Sequence, residues 1–408
     1  MPATPERQPS RLAVLDGLRL VAALMVVACH YVWESFDGVH PPQYTLPTAT
    51  RIGFYGLLGV ELFFLISGFV ICMSSWGRGL GDFVISRISR LFPAFWFAVV
   101  ATTAVITLTG VPSGTSETHK PGFVDVLVNL TMLNQPSKVP SVDAVYWTLF
   151  SELRFYLLFA VAVVWAGVTY RRAIYFCLGW LVVTVLSPVL GSQLIDLIAN
   201  PRFAPYFIAG IAMFLMHRFG PNLVLWGIVA LSWVLSMNGL SARLESHHVD
   251  FPVSVWPARV IVTGAFAVIL VVALGYTDRI RWKWLTVAGA LTYPLYLLHQ
   301  RIGTSILRNG YDAGFALWWL IPATAVAMMV AAYLVHRFVE RPLSRRLRDG
   351  LRSALADIRR ASARDTARTD THAPGSPGLP HPRTPAEDSV ADEVHHSAQT
   401  TSRVRLPN

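Results

Sequence analysis

Apolar stretches of about twenty residues recur along this chain, and that repetition limits the fold more than any single motif, because a run of that length is what an α-helix needs to cross a bilayer. Ten such stretches are predicted, at 12–33, 54–76, 91–110, 144–167, 172–190, 203–219, 221–237, 257–275, 285–308 and 314–337. In lipid the backbone must satisfy its own hydrogen bonds, so the expected architecture is all-α, a polytopic transmembrane helical bundle. Composition agrees with this reading. Of 408 residues, 53% are hydrophobic and 14% charged, and the mean hydropathy is +0.47, whereas soluble domains carry about 25% charged residues.

The formal net charge of +10 does not point to nucleic acid, because the arginines lie in short loops and in the C-terminal tail rather than on one folded face. Their distribution instead orients the bundle. With a cytoplasmic N-terminus, the inner loops carry Arg78, Arg87, Arg90, Arg171, Arg172, Arg218, Arg279, Arg281 and Lys283. The longer outer loops carry Arg51, Lys120, Lys138, Arg202 and Arg243. The positive-inside rule therefore places both termini in the cytoplasm of a cell whose inner (plasma) membrane holds the protein, and an even number of spans agrees. Three regions follow: a cytoplasmic segment 1–11, a membrane domain 12–342, and a tail 343–408. The tail opens with the basic SRRLRDGLRSALADIRRASARD, predicted to extend as a helix. From Thr366 it is rich in Pro, Ser, Thr, His and Asp, a composition expected to stay disordered.

A signal peptide is the rival reading of the first span, since Arg7 and Arg11 precede it and Val26-Val27-Ala28-Cys29 resembles a cleavage site. Arg19 interrupts the apolar core, which favours an uncleaved helix. Cys29, Cys72 and Cys177 all fall in apolar runs without metal-ligand spacing and read as packing residues, so no metal is expected. In the long outer segment 111–143, FVDVLVNLTMLNQP is predicted as a short helix that either lies on the membrane surface or caps a cavity.

Charges within lipid are costly, and each is a candidate functional residue. The first span holds Asp16, Arg19 and His30. Eleven positions separate Arg19 from His30, close to three helical turns, so both leave one face about 16 Å apart. Asp16 is placed to pair with Arg19. Glu61 in GVELFFLISGF and Glu152 in YWTLFSEL fall at a depth similar to His30. A Glu61–His30 pair is expected, with Glu152 as the second candidate partner, flanked by Asp143, Trp147, Ser151 and Arg154. An inter-helix structural hydrogen bond is the alternative for each glutamate. Arg87 and Arg90 lie one turn apart before the third span. There they suit either a phosphorylated ligand, aided by a helix N-terminus, or anchoring to anionic lipid. Tyr293, Tyr296 and His299 form a stripe near Pro294, which reads as packing or as a polar passage, and Glu340 with Arg341 reads as an end cluster.

In order, LDGLRLVAALMVVACH, GVELFFLISGF, FVISRISRLFP, YWTLFSEL, LTYPLYLLH and VERP resemble the acyltransferase-3 family of integral membrane O-acyltransferases, from about Leu15 to Pro342. The resemblance carries an essential Arg and His of the first helix onto Arg19 and His30, and a paired-arginine motif implicated in acyl-CoA use onto Arg87 and Arg90. Family members usually have Gly where this chain has Leu20, and often Asp where it has Glu61.

What the resemblance implies is transfer of an acyl group, acetyl first among them, from cytosolic acyl-CoA as co-substrate to a hydroxyl. The acceptor would be a carbohydrate, an envelope glycan or a glycosylated secondary metabolite, and membrane lipid is the surrounding partner. The expected site has Arg87 and Arg90 on the CoA phosphates and Arg19 along the thioester path. His30 then serves as general base or transient acyl carrier, oriented by Glu61 or Glu152. The competing class is a transporter using the intramembrane Glu, His and Arg residues as a relay. Such proteins often contain internal repeats, and the two halves of this chain show no convincing similarity.

Overall fold

The computed structural model describes residues 12–34, 45–110, 120–247, 249 and 251–371, and among these every regular element is a helix. Helix α1 is Ala13–Val32. Helix α2, Pro47–Phe54, runs through a tight turn at Tyr55–Leu58 into α3, Gly59–Ser75. There follow α4 (Leu80–Thr109), α5 (Phe123–Asn129), α6 (Tyr146–Phe159), α7 (Tyr170–Leu190), α8 (Gln193–Ala199), α9 (Ala204–Phe219), α10 (Leu223–Glu245), α11 (Val255–Ala273), α12 (Lys283–Asp312), α13 (Leu317–Val335) and α14 (Arg341–Thr371).

Nine helical stretches among the described residues are long and apolar enough to span a bilayer. The ninth predicted span, 285–308, becomes α12, whose 30 residues reach about 45 Å without comparable hydropathy. Its polar side chains are turned inward: Thr292, His299, Gln300, Arg301, Thr304 and Ser305 are all buried. Helices α1, α4 and α13 pack against it, which makes this helix, the least apolar of the predicted spans, the polar spine of the bundle. The expected Gly220–Pro221 turn separates α9 from α10, with Gly220 at φ +87°.

Elsewhere the spans pack through small residues, as expected where lipid supplies no hydrophobic drive between helices. A Cβ on Gly68 of α3 would lie 2.1 Å from the Phe207 carbonyl oxygen, and one on Gly210 of α9 would lie 2.1 Å from that of Leu65. Two backbones meet reciprocally at these glycines. The three cysteines are free and buried, and packing explains them.

Two predicted boundaries move, and each changes a functional reading. Helix α4 begins at Leu80 rather than 91, so Arg87 and Arg90 stand two or more turns inside it. The helix dipole acts mainly within the first turn, so the N-terminal assistance expected for them is absent. Helix α10 continues to Glu245 rather than stopping at 237. Arg243, read from sequence as an outer-loop charge, is therefore a helical side chain facing the protein.

The short helix predicted within 111–143 is α5, whose Phe123, Val124 and Leu127 are exposed. The chain divides into two units, Met1–Ala356 and Asp357–Asn408. The basic helix predicted after Pro342 is the body of α14, which continues to Thr371. In the second unit Arg360 pairs with Asp357 at 2.6 Å. The disorder expected from Thr366 gives way to helix over 366–371, where α14 continues, and the rest of that stretch, 372–408, lies outside the described residues.

Candidate active site

Two cavities open into the bundle from opposite ends of α1. The first is lined by Arg19, Arg90, Glu152, Tyr156, Tyr293 and Tyr296 among others. The second is lined by His30, Trp33, Glu34, Trp147, Arg243, His247 and Gln300. Val60 and Tyr296 line both, so the two cavities adjoin at these side chains. The helical spacing that set Arg19 and His30 on one face thus gives one residue to each cavity.

At the Asp16 end, Arg19 Nη1 lies 3.4 Å from Asp16 Oδ1, the expected pair. Glu152 accepts hydrogen bonds from Ser67 Oγ at 2.8 Å and from Tyr156. It belongs with Arg19 and Arg90, not with His30, which corrects its place as second candidate partner of that histidine. Arg87 and Arg90 are not equivalent. Arg87 is buried, donates to Ser74 Oγ at 3.2 Å and Ser86 Oγ at 3.1 Å, and sits 5.8 Å from the Phe83 and Tyr156 ring centres. Arg90 is the one that lines the cavity. Tyr293 also lines it while donating to the Leu91 carbonyl at 2.9 Å.

At the other end the expected Glu61–His30 pair does not form. Glu61, 1% exposed, is held at 3.2 Å by Arg243 Nε. The physical reason is the extra length of α10, which brings a guanidinium into the protein exactly where a buried carboxylate needs a cation. Arg243 also lies over the Trp147 and Phe203 rings and within 3.4 Å of His247 Nε2. The carboxylate that meets His30 is Glu34, one turn later, which contacts His30 Nδ1. The i, i+4 spacing was the available signal, and it was lost because the predicted span ended at 33.

Glu34 lies beyond α1. Burial pushes its carboxyl up, but the attraction of His30, their hydrogen bond, and His247 and His299 together hold it below the ordinary carboxylate range. Burial is also the main reason that His247 is pushed below the ordinary histidine value, with Arg243 adding to it.

Flanking residues that sequence grouped near Glu152 have separate tasks. Arg154 donates to the Leu197 carbonyl at 2.8 Å and caps the end of α8, rather than neutralising a glutamate. Asp143 is buried and accepts from the Arg301 backbone N–H at 3.2 Å. Tyr31 donates to the His299 carbonyl at 2.9 Å, fixing α1 to α12. Tyr296 and Thr148 share a 2.8 Å hydrogen bond where the cavities adjoin. Glu340 is paired with His336 at 2.9 Å rather than with Arg341.

A family model described as an acyltransferase domain, that of the acyltransferase-3 family, matches residues 12–337. The chain belongs to this family. It is therefore a multi-pass membrane acyltransferase, and the carrier reading gives way. Acyltransferase MdmB of Streptomyces mycarofaciens is 26% identical over 376 residues, covering 83% of this chain and 92% of that protein. Nodulation protein 10 of Rhizobium leguminosarum bv. viciae is 24% identical over 366 residues, covering 80% and 92%. Protein 2 in picA locus of Rhizobium radiobacter is 30% identical over 165 residues, covering 36% and 78%. No solved structure matches the chain.

Proposed function

We propose that this acyltransferase moves an acyl group, acetyl first among them, from cytosolic acyl-CoA to a hydroxyl of a carbohydrate, envelope glycan or glycosylated small molecule, with His30 as general base and Glu34 as its orienting carboxylate. The observation that carries the reading is the His30–Glu34 contact in one cavity, which adjoins at Tyr296 and Val60 a second cavity that holds Arg19 and Arg90. A donor and an acceptor that approach from opposite membrane faces need two such chambers.

The positive-inside distribution supports a cytoplasmic Asp16 end with both termini inside the plasma membrane. Arg90 then meets the CoA phosphates, since a guanidinium offers them paired donors. Arg87, already bonded to serines, braces that helix. Arg19 and Glu152 line the thioester path. With its proton on Nδ1 toward Glu34, His30 takes the acceptor's proton on Nε2. The alkoxide attacks the thioester carbonyl, the carbon–sulfur bond breaks, and the thiolate regains the proton from the imidazolium. Glu61, bound to Arg243, serves the acceptor chamber as a structural counter-ion.

The test is CoA release from acetyl-CoA by purified protein in detergent, with a panel of sugar and macrolide hydroxyls, comparing wild type with His30→Ala. Acceptor-dependent release that vanishes in the variant is expected. Full activity in His30→Ala would overturn the base assignment, and failure to consume acetyl or longer thioesters with any acceptor would overturn the donor assignment.

A further inference from the structure

Glu34 has two carboxylate oxygens, and only Oε2 is used by His30. The other, Oε1, accepts a hydrogen bond from Gln300 Nε2 at 3.2 Å. Gln300 is 7% exposed, and its own amide cannot be turned over without loss, because its Oε1 accepts from the Val145 backbone N–H at 3.1 Å. The result is a chain of contacts from His30 through Glu34 and Gln300 to the backbone just before α6, tying α1, α12 and the start of α6. The amide orientation follows from the partners: a backbone N–H needs the amide oxygen, which leaves the NH₂ for the carboxylate.

We propose that Gln300 is the positioning residue of the His30–Glu34 pair, fixing which carboxylate oxygen faces the imidazole and keeping the carboxylate ionised by donating to it. This rests on the base reading of His30. A carboxylate orients an imidazole only while its own torsions are fixed, and Glu34, with three rotatable bonds beyond the end of α1, has no such restraint from its helix. The amide supplies it. Donation to the charged form also favours that form over the acid.

The electrostatic setting of Glu34 is mixed. From α1 it meets His30. From α10 and the residues after it come Arg243 and His247, and Glu61 of α3 stands beyond Arg243 as its counter-ion. From α12 come His299, whose ring centre is 5.1 Å from that of His30, and Tyr296. Asp143 lies at the Val145 backbone, where its Oδ1 also accepts from that N–H at 3.3 Å. Among these Gln300 is the neutral group that donates to Glu34 Oε1, so exchanging it for a charged isostere alters that oxygen without emptying the site.

Gln300→Glu keeps the oxygen that receives Val145 N–H and puts a second carboxylate where Glu34 had a donor. Once both carboxylates are ionised, the variant carries one more negative charge beside His30, which stabilises the imidazolium. The acid limb of the pH–rate profile should therefore move to higher pH by about one unit or more, with kcat at neutral pH lowered and KM for acetyl-CoA unchanged, because the donor is bound in the other cavity. Gln300→Ala should lower kcat on the order of 10-fold to 100-fold, again without a change in donor KM, and Glu34→Gln should move the same limb to lower pH. Thermal unfolding in detergent is measured alongside, and Gln300→Glu should stay folded because its shape and its Val145 contact persist. A wild-type pH profile and kcat in folded Gln300→Glu would overturn the proposal, as would a loss confined to donor KM. Failure of this test with His30→Ala still inactive would remove Gln300 and leave the base reading standing, whereas an active His30→Ala would remove both.

Discussion

Replacing Gly303 by Ala tests whether the close approach of α1 to α12 builds the site. A Cβ at Gly303 would lie 2.1 Å from the Tyr31 hydroxyl oxygen and 2.6 Å from its Cζ, at least about 1 Å inside an ordinary van der Waals contact. Tyr31 is 0% exposed and its hydroxyl is bonded to the His299 carbonyl, so the ring has nowhere to turn that keeps the bond. Overpacking costs about 1–3 kcal/mol, and the displaced hydrogen bond costs about 0.5–1.5 kcal/mol more. Against this, Gly→Ala in a helix gains up to about 1 kcal/mol. The clash wins, with a net loss of about 1–3 kcal/mol. Gly179 of α7 is the control, since a Cβ there meets nothing within 4 Å, and Gly179→Ala should be neutral or stabilising. Thermal unfolding of the purified protein in detergent reads both, and the acyl-transfer rate of Gly303→Ala should fall further than its stability loss explains, because Glu34 follows directly on α1 and Gln300 sits on α12, the two helices pushed apart. A Gly303→Ala protein as stable and as active as Gly179→Ala would refute the reasoning.

Arg87 and Arg90 should separate experimentally. Arg90→Ala should raise the KM for acyl-CoA on the order of 10-fold with the fold retained, while Arg87→Ala should chiefly lower thermal stability, because it empties a buried guanidinium site between Phe83 and Tyr156. Equal effects of both on donor KM, with unchanged melting, would return them to a single phosphate-binding pair. His247, pushed below the ordinary histidine value chiefly by burial, binds fewer protons folded than unfolded as pH falls through that ordinary value, so stability should decline there. His247→Gln should flatten the acid decline in melting temperature, and an identical decline in the variant would exclude His247 as its source.

The ten apolar stretches, the polar face shared by Arg19 and His30, and the Asp16–Arg19 pair were legible because each depends on helical spacing within one segment, and the helix period is known in advance. Glu34 was within reach of the same rule but fell one residue beyond a span boundary judged on hydropathy. Arg87 and Arg90 show the limit in another form: sequence places them one turn apart, yet their surroundings make one a buried brace and the other a cavity wall. Depth alone put Glu61 beside His30, and depth says nothing about azimuth.

Hydropathy and charge patterning therefore determined that this chain is a helical membrane bundle with ionisable groups inside it, since the cost of exposing backbone and charge to lipid leaves few alternatives. Which of those groups meet was decided by the tertiary structure. Arg243 reaches Glu61 from the end of α10, Glu34 is left to His30, and Gln300 reaches Glu34 from α12, because side-chain partners across helices depend on how far the helices run, how they rotate and how closely glycine lets them approach, and none of these is a property of a single segment.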